Sequence, residues 1–258
     1  TKVTVFNIES SILKREEPMV QELANEYLTE QGITILNDIT LNSVSNDGNK
    51  PVITANSQNY TFDAVLYATG RKPNTANIGL ENTDITTNER GAIVVNDTCE
   101  SSVSGVYAVG DVNGGPQFTY ISLDDFRIVC GALTGNGQYT LKDRKNIPYT
   151  TFLTPPLARI GLTEEDSINK GYTVKTREML VATMPRAHVN DYLKGAFKIV
   201  VDADNDLILG ATLYSQGAEE LINLIKMAMD NNIPYTYFKN QIFTHPTMAE
   251  NLNDLFAI

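Results

Sequence analysis

Apolar and polar positions follow two different rhythms along this chain, and the rhythm changes near residue 148. At the start, Val3-Thr4-Val5-Phe6 has the pattern of a short buried strand. Arg15-Glu16-Glu17-Pro18 then predicts a helix start, with acidic residues and proline in the first turn. Met19, Val20, Leu23, Ala24, Tyr27 and Leu28 repeat at helical spacing, and Gly32 supplies the stop. A strand at 33–36 follows. Segments near 39–45 and 51–55 flank Asn46-Asp47-Gly48-Asn49, a hairpin turn signal. Phe62-Asp63-Ala64-Val65-Leu66-Tyr67 predicts a further strand, running into Ala68-Thr69-Gly70-Arg71-Lys72-Pro73-Asn74. Strands alternating with a helix predict half of a nucleotide-binding α/β unit, without its first strand and glycine-rich turn.

Residues 71–147 hold a loop region, a short strand at 92–95 and the apolar run Gly105-Val106-Tyr107-Ala108-Val109, which ends in Gly110-Asp111. Gly114-Gly115-Pro116 precedes a helix predicted from about 119 to 134, with Ile121, Phe126, Ile128, Val129 and Leu133 on its apolar face. From 148 onward, strands near 149–153, 158–161, 172–182, 195–201 and 207–214 precede a helix at 217–231. Leu221, Ile222, Leu224, Ile225, Ala228 and Met229 form that helix's stripe, and 202–206 is an acidic hairpin loop. Strands followed by a helix, rather than alternating with helices, predict an α+β domain. The fold class is therefore α/β, with partial Rossmann-like units, followed by α+β.

Composition narrows the function. Apolar residues make up 42% and charged residues 20% of 258, an ordinary globular balance. A net charge of −11 with no Lys/Arg cluster removes the electrostatic footing for nucleic acid. No apolar run has the length of a membrane span, and no signal peptide opens the chain. Cys99 and Cys130 have neither a disulfide framework nor metal-ligand spacing, so no metal is expected and a reducing, cytoplasmic setting fits. The chain opens at Thr1 inside an apparent strand, and a strand needs neighbours, so further chain is expected upstream.

Three segments carry candidate chemistry. The run ending in Gly110-Asp111 places a carboxylate at a sheet's carboxyl edge, where α/β folds bind ligands, although taken alone a buried strand followed by an ordinary Asx turn explains it better. Gly114-Gly115-Pro116 adds a helix start whose N–H groups meet acceptors. Gly70 permits unusual backbone angles, and by itself is only a turn. The tail His245-Pro246-Thr247-Met248-Ala249-Glu250 is more specific. Proline restricts His245 and permits a cis bond before it. Glu250 lies within reach of one imidazole nitrogen, which suits a proton shuttle to a thiol. Thr247 to Glu250 equally matches a capping box. The two roles are compatible, since a carboxylate has two oxygens, and spacing alone leaves both open.

Together and in this order, these segments resemble the flavoprotein disulfide reductases, the pyridine nucleotide–disulfide oxidoreductases that include glutathione reductase, dihydrolipoamide dehydrogenase and mercuric reductase. The likeness rests on Val3-Thr4-Val5, 68–74, 105–111, Thr151-Phe152-Leu153-Thr154-Pro155-Pro156, Ile160-Gly161-Leu162-Thr163, Gly210-Ala211, Ala218-Glu219-Glu220 and the tail. The run from Gly114 to Asp125 is most similar to a bacterial subgroup tied to reactive chlorine resistance, which includes hypothiocyanous acid reductases. The resemblance implies FAD and NAD(P)H as cofactors, a homodimer, and a small-molecule or disulfide-type oxidised substrate. It implies that Asp111, with Gly110, holds the ribityl chain of FAD and that Phe118-Thr119 backbone faces the flavin. It places Gly70 against the nicotinamide nucleotide and makes His245 the acid/base beside the partner subunit's flavin, oriented by Glu250.

The family often has an acidic residue after the first strand, bonding the adenine ribose. Asn7 stands there, with Glu9 nearby, which leaves NADH and NADPH both open. The family's redox cysteine pair and both glycine-rich turns are not in this sequence, and Cys99 and Cys130 are expected to be buried structural thiols. Residues 1–70 would be part of the NAD(P)-binding domain, 71–147 part of the FAD-binding domain, and 148–258 the dimer interface. Two other readings stand beside this one: a non-catalytic dimerisation module, and a flavoprotein acting on peroxide or oxygen through a single cysteine.

Overall fold

The computed structural model describes residues 1–258. Two compact units emerge, one of Thr1–Val65 with Asn146–Ile258 and the other of Leu66–Lys145.

In the first unit, β1 (Thr4–Phe6) and β2 (Thr34–Leu36) pair in parallel, joined by α1 (Pro18–Glu30). Pro18 opens α1, where a missing N–H costs nothing, and Gly32 ends it in a left-handed conformation. Glu16 and Glu17 precede the helix instead of occupying its first turn. Val20, Ala24 and Tyr27 are its buried positions. β3 (Leu41–Asp47), β4 (Lys50–Ala55) and β5 (Gln58–Thr61) form an antiparallel meander around the expected hairpin. Phe6 meets Tyr60 and Phe62 edge-on over this meander, at centroid distances of 5.1 and 5.8 Å.

Two expectations for this region fail. Val3 and Val5 are exposed, because too little packs over the small two-stranded sheet of β1 and β2 to cover them. Residues 62–67 form no strand, and Leu66 is 89% exposed. Apolar patterning marks faces, but a strand exists only where its N–H and C=O groups meet a neighbour.

The second unit has little regular structure. The segments at 92–95 and 105–109 contribute only the single bridges Thr87–Ile93 and Glu100–Tyr107 instead of strands. Its helix, α2 (Thr119–Thr134), matches the expected span. The buried face differs: Ile121, Asp125 and Ile128 point inward, whereas Phe126 and Leu133 are exposed. A carboxylate thus occupies the middle of the apolar stripe.

The rest of the first unit is a five-stranded antiparallel sheet, ordered β6-β7-β10-β9-β8. Its strands are β6 (Tyr149–Thr151), β7 (Leu157–Gly161), β8 (Val174–Leu180), β9 (Ala196–Asp202) and β10 (Ile208–Tyr214). The short helices α3 (Glu164–Asn169) and α4 (Pro185–Val189) interrupt the run of strands. Next come α5 (Ala218–Asp230), α6 (Thr236–Asn240) and α7 (Asn251–Leu255). α5 packs on β7 and β10, and α7 on β8 and β9. Phe197, Ile199, Leu213, Ile225, Leu252 and Phe256 lie at the centre of the resulting core. Leu224, expected in the α5 stripe, is exposed. Gly210 is required by a close approach, since a Cβ there would fall 1.9 Å from the Leu162 carbonyl oxygen.

Buried charge fastens α1 to this sheet. Lys198, on the fully buried strand β9, places its ammonium 3.1 Å from Glu17, 2.7 Å from Glu164 and 3.0 Å from Glu178. Burial opposes the charge, but hydrogen bonds to the three carboxylates outweigh it and raise the Lys198 pKa. Glu17 also accepts the Glu164 N–H at 2.9 Å, and Tyr149 donates to Glu16 at 2.5 Å. The Tyr27 hydroxyl accepts the Gly195 N–H at 2.8 Å.

Removing a buried ion leaves its partner uncompensated. Lys198→Met is therefore expected to lower unfolding free energy by about 3–5 kcal/mol, read from urea denaturation. Glu178, half exposed, should tolerate Gln at a cost of about 1 kcal/mol or less.

Candidate functional site

The chemistry-bearing residues sit in three local networks. In the second unit, Gly110 opens a 3-10 turn (Gly110–Asn113) with φ +74°, and a Cβ there would meet the Ser122 hydroxyl at 2.6 Å. Only glycine combines that backbone angle with that approach to α2. Asp111 rides on the turn with a half-exposed carboxylate, 3.9 Å from the Arg71 guanidinium. Arg71 follows Gly70, whose φ is +122°, so the 68–74 segment is brought beside Asp111. Phe118 has extended backbone at the N-cap of α2, and its ring stacks on Tyr120 at 5.1 Å. Thr119 is the first helical residue.

Asp125, not anticipated from the sequence, anchors this turn. Fully buried, it accepts the Gly110 N–H at 2.7 Å and the Asn113 amide at 2.9 Å through one oxygen. Its other oxygen pairs with Arg144, which also donates to Asp124 at 2.7 Å. Burial disfavours the guanidinium charge, but hydrogen bonds to Asp125 and Asp124 raise the Arg144 pKa nonetheless. The signal for Asp125 was available: it sits four residues after Ile121 and three before Ile128, on the helix's apolar face. Arg144 had no such signal, because its loop reaches Asp125 only through tertiary packing.

Cys99 is buried, and burial, reinforced by Asp125, pushes its thiol up to about 11. Cys130 lies exposed on α2, contrary to the expectation of a buried thiol. A helix surface position near the end of an apolar stripe is buried only if something packs on it.

In the first unit, Asn7 follows β1 at the carboxyl edge of the parallel pair. Its side-chain amide donates to the Asn37 side chain at 2.8 Å and the Glu9 carbonyl at 3.0 Å. It lines a groove of about 380 Å³ with Glu9, Ser11, Lys14 and Arg15.

The tail forms the third network. The His245–Pro246 peptide is cis. Glu250 divides its oxygens: one accepts the Thr247 N–H at 3.1 Å, and the other lies 2.7 Å from His245 Nδ1. Thr247 Oγ1 in return accepts the Glu250 N–H at 3.2 Å, so the capping-box bonds and the His contact coexist. The regular helix starts just beyond, at Asn251. A carboxylate only accepts, so neutral His245 must carry its proton on Nδ1, leaving Nε2 as a base. The imidazole is 70% exposed, whereas the Glu250 side chain is only 19% exposed. His188, the other histidine, is spent on the Ala182 carbonyl at 2.8 Å.

Glu250 has its pKa lowered, chiefly by the His245 hydrogen bond and further by the Thr247 N–H. With the folded value depressed, its contribution to the tail is present above the ordinary carboxylate range and lost as pH falls through the lower value. Nitrogen NMR of the neutral imidazole should show the Nδ1–H tautomer. Glu250→Ala should release it to a mixture; an unchanged tautomer would mean that Glu250 does not orient the ring.

No helix is long and apolar enough to cross a membrane. The family described as pyridine nucleotide-disulphide oxidoreductase matches residues 1–125, and its dimerisation domain matches residues 147–256. The chain is 42% identical over 258 residues to the probable pyridine nucleotide-disulfide oxidoreductase RclA of Escherichia coli, covering 100% of this chain and 58% of that protein. It is 33% identical over 256 residues to mercuric reductase of Staphylococcus aureus, covering 98% of this chain and 47% of the other. The solved HOCl-induced flavoprotein disulfide reductase RclA from Escherichia coli superposes with a TM-score of 0.95 at 41% identity, covering 100% of this chain and 59% of that one. The chain thus spans about half the length of the curated relatives it matches.

Proposed function

The chain belongs to the pyridine nucleotide–disulfide oxidoreductase family, and from that premise we propose that it serves an FAD- and NAD(P)H-dependent disulfide-type reductase in which His245 is the acid/base. The observation that carries the reading is the His245–Glu250 pair, 2.7 Å apart, which favours the Nδ1–H tautomer and leaves Nε2 as the base.

FAD, when bound, supplies a two-electron relay between nicotinamide and a cysteine pair. The residues around α2 fit it: an outward carboxylate on Asp111 suits ribityl hydroxyls, and Gly110 lets the turn that carries Asp111 pack close against α2. Phe118 and Thr119 present helix-start backbone toward the flavin ring, and Gly70 lies against the nicotinamide nucleotide. Asn7 holds the adenine ribose. Its amide does not repel a 2′-phosphate, and Lys14 and Arg15 in the same groove are compatible with one.

His245 Nε2 takes the proton of one redox thiol and returns it to the thiolate that leaves when substrate is reduced. Glu250 stabilises the imidazolium between these steps. Neither Cys99 nor Cys130 is the redox pair: Cys99 is buried with a raised pKa, and Cys130 stands apart on α2. His245 therefore acts on cysteines outside this chain's sequence, in the partner subunit. We retain 1–70, 71–147 and 148–258 as NAD(P), FAD and interface segments. The same lack of a cysteine pair, with the match of 147–256 to a dimerisation domain, favours a non-catalytic dimerisation role for this chain in isolation.

In the enzyme at its full natural length, His245→Ala should cut disulfide-type turnover by about 10²–10⁴-fold while flavin reduction by NAD(P)H keeps its rate. Turnover within a few fold of wild type would reduce the tail to a helix cap. The exposed Met227, Tyr237 and Ile242 fit a surface covered by a second copy. Sedimentation should give a dimer, and a monomer at high protein concentration would contradict a shared site.

A further inference from the structure

Asp125 is the most deeply buried carboxylate around the 110–119 turn, and the flavin reading gives it no task. Its position is unusual for its chemistry, since a carboxylate on the apolar face of a helix is costly unless every lone pair is answered. Here both oxygens are answered in a directed way. Oδ1 pairs with Arg144, and Oδ2 takes two hydrogen bonds, from the Gly110 N–H and the Asn113 side chain.

These two donors bracket Asp111, one immediately before it and one two residues after it. Asn113 extends the reach. Its amide also donates to the Ala108 carbonyl at 3.3 Å, and its side-chain oxygen accepts the Gly115 N–H at 3.0 Å. One buried oxygen thereby fixes the end of the 105–109 segment, the turn that carries Asp111, and the Gly114-Gly115 loop leading into α2. Asp111 itself has only the distant Arg71 as a partner, so nothing on its own side chain holds its direction.

We propose that Asp125, countered by Arg144, is a positioning residue for the flavin site: it aims the Asp111 carboxylate and sets its spacing from the start of α2. The inference rests on the FAD reading and deepens it. Asp125 touches no cofactor; it acts through the backbone of Gly110 and the side chain of Asn113.

The test is a double-mutant cycle on the flavoprotein at full natural length, stripped of FAD and titrated with it. Flavin fluorescence gives the affinity and visible circular dichroism the flavin's environment. Asp111→Ala and Asp125→Ala are each expected to weaken FAD binding by about 10- to 100-fold, the range for a hydrogen bond to a charged group. The double variant should lose little more than the weaker single, because both changes disable one contact. Asp125→Ala should also alter the visible dichroism of the FAD that still binds. Asn113→Ala leaves the Asp125–Arg144 pair intact and should reproduce part of the loss, so it carries the same cycle if Asp125→Ala does not fold.

Folded Asp125→Ala or Asn113→Ala protein with wild-type affinity and dichroism would overturn the proposal. Losses that multiply with that of Asp111→Ala would overturn it too. If Asp111→Ala itself binds FAD normally, the flavin reading falls together with this one, which separates the two failures.

Discussion

A charge withdrawn from water must find partners of good geometry, and in both units of this protein that requirement fixes the surroundings of the candidate site residues. Lys198 sits on the most buried strand of the five-stranded sheet and reaches Glu17, Glu164 and Glu178. Asp125 sits on the buried stripe of α2 and reaches Gly110, Asn113 and Arg144. Neither group contributes much through the pair itself, because desolvation offsets most of the Coulombic gain. Each restricts the number of arrangements its neighbours can adopt. Glu17 ends the loop that follows Asn7, and Gly110 begins the turn that carries Asp111, so a buried charge holds one end of both segments.

The tail solves a different problem with the same means. Glu250 is mostly buried and must satisfy two oxygens, and it does so with one backbone donor and one imidazole. The backbone bond shapes the turn before α7; the imidazole bond sets a tautomer. The capping bond and the imidazole bond thus come from one carboxylate. An exposed imidazole with its inner nitrogen committed is suited to proton transfer at the outer one.

Much of this was legible in the sequence. The helical spacing of α1 and α5, the Asn-Asp-Gly-Asn hairpin and the strands of the last domain all follow from local periodicity and turn chemistry, which act over a few residues. The cis bond and the shared role of Glu250 were open possibilities of the tail, and the geometry realised both. The failures share one character. Residues 62–67, 92–95 and 105–109 have strand patterns without strand partners, and Phe126, Leu133, Leu224 and Cys130 have core-like positions with nothing packed over them. Pattern announces a preference for burial, while burial itself depends on what lies opposite.

By itself the sequence determined the main helices, the strands of the last domain, the α/β-then-α+β order and the family resemblance, because these depend on residue character at fixed spacing along the chain. Tertiary structure alone decided that α1 belongs with the last domain's sheet, that Arg144 meets Asp125 and that Arg71 approaches Asp111. Lys198 finds partners from three separate stretches of chain. Spacing does not encode such pairings, because the distance that sets a charge's energy is measured through space, and chain folding brings remote residues within a few ångströms.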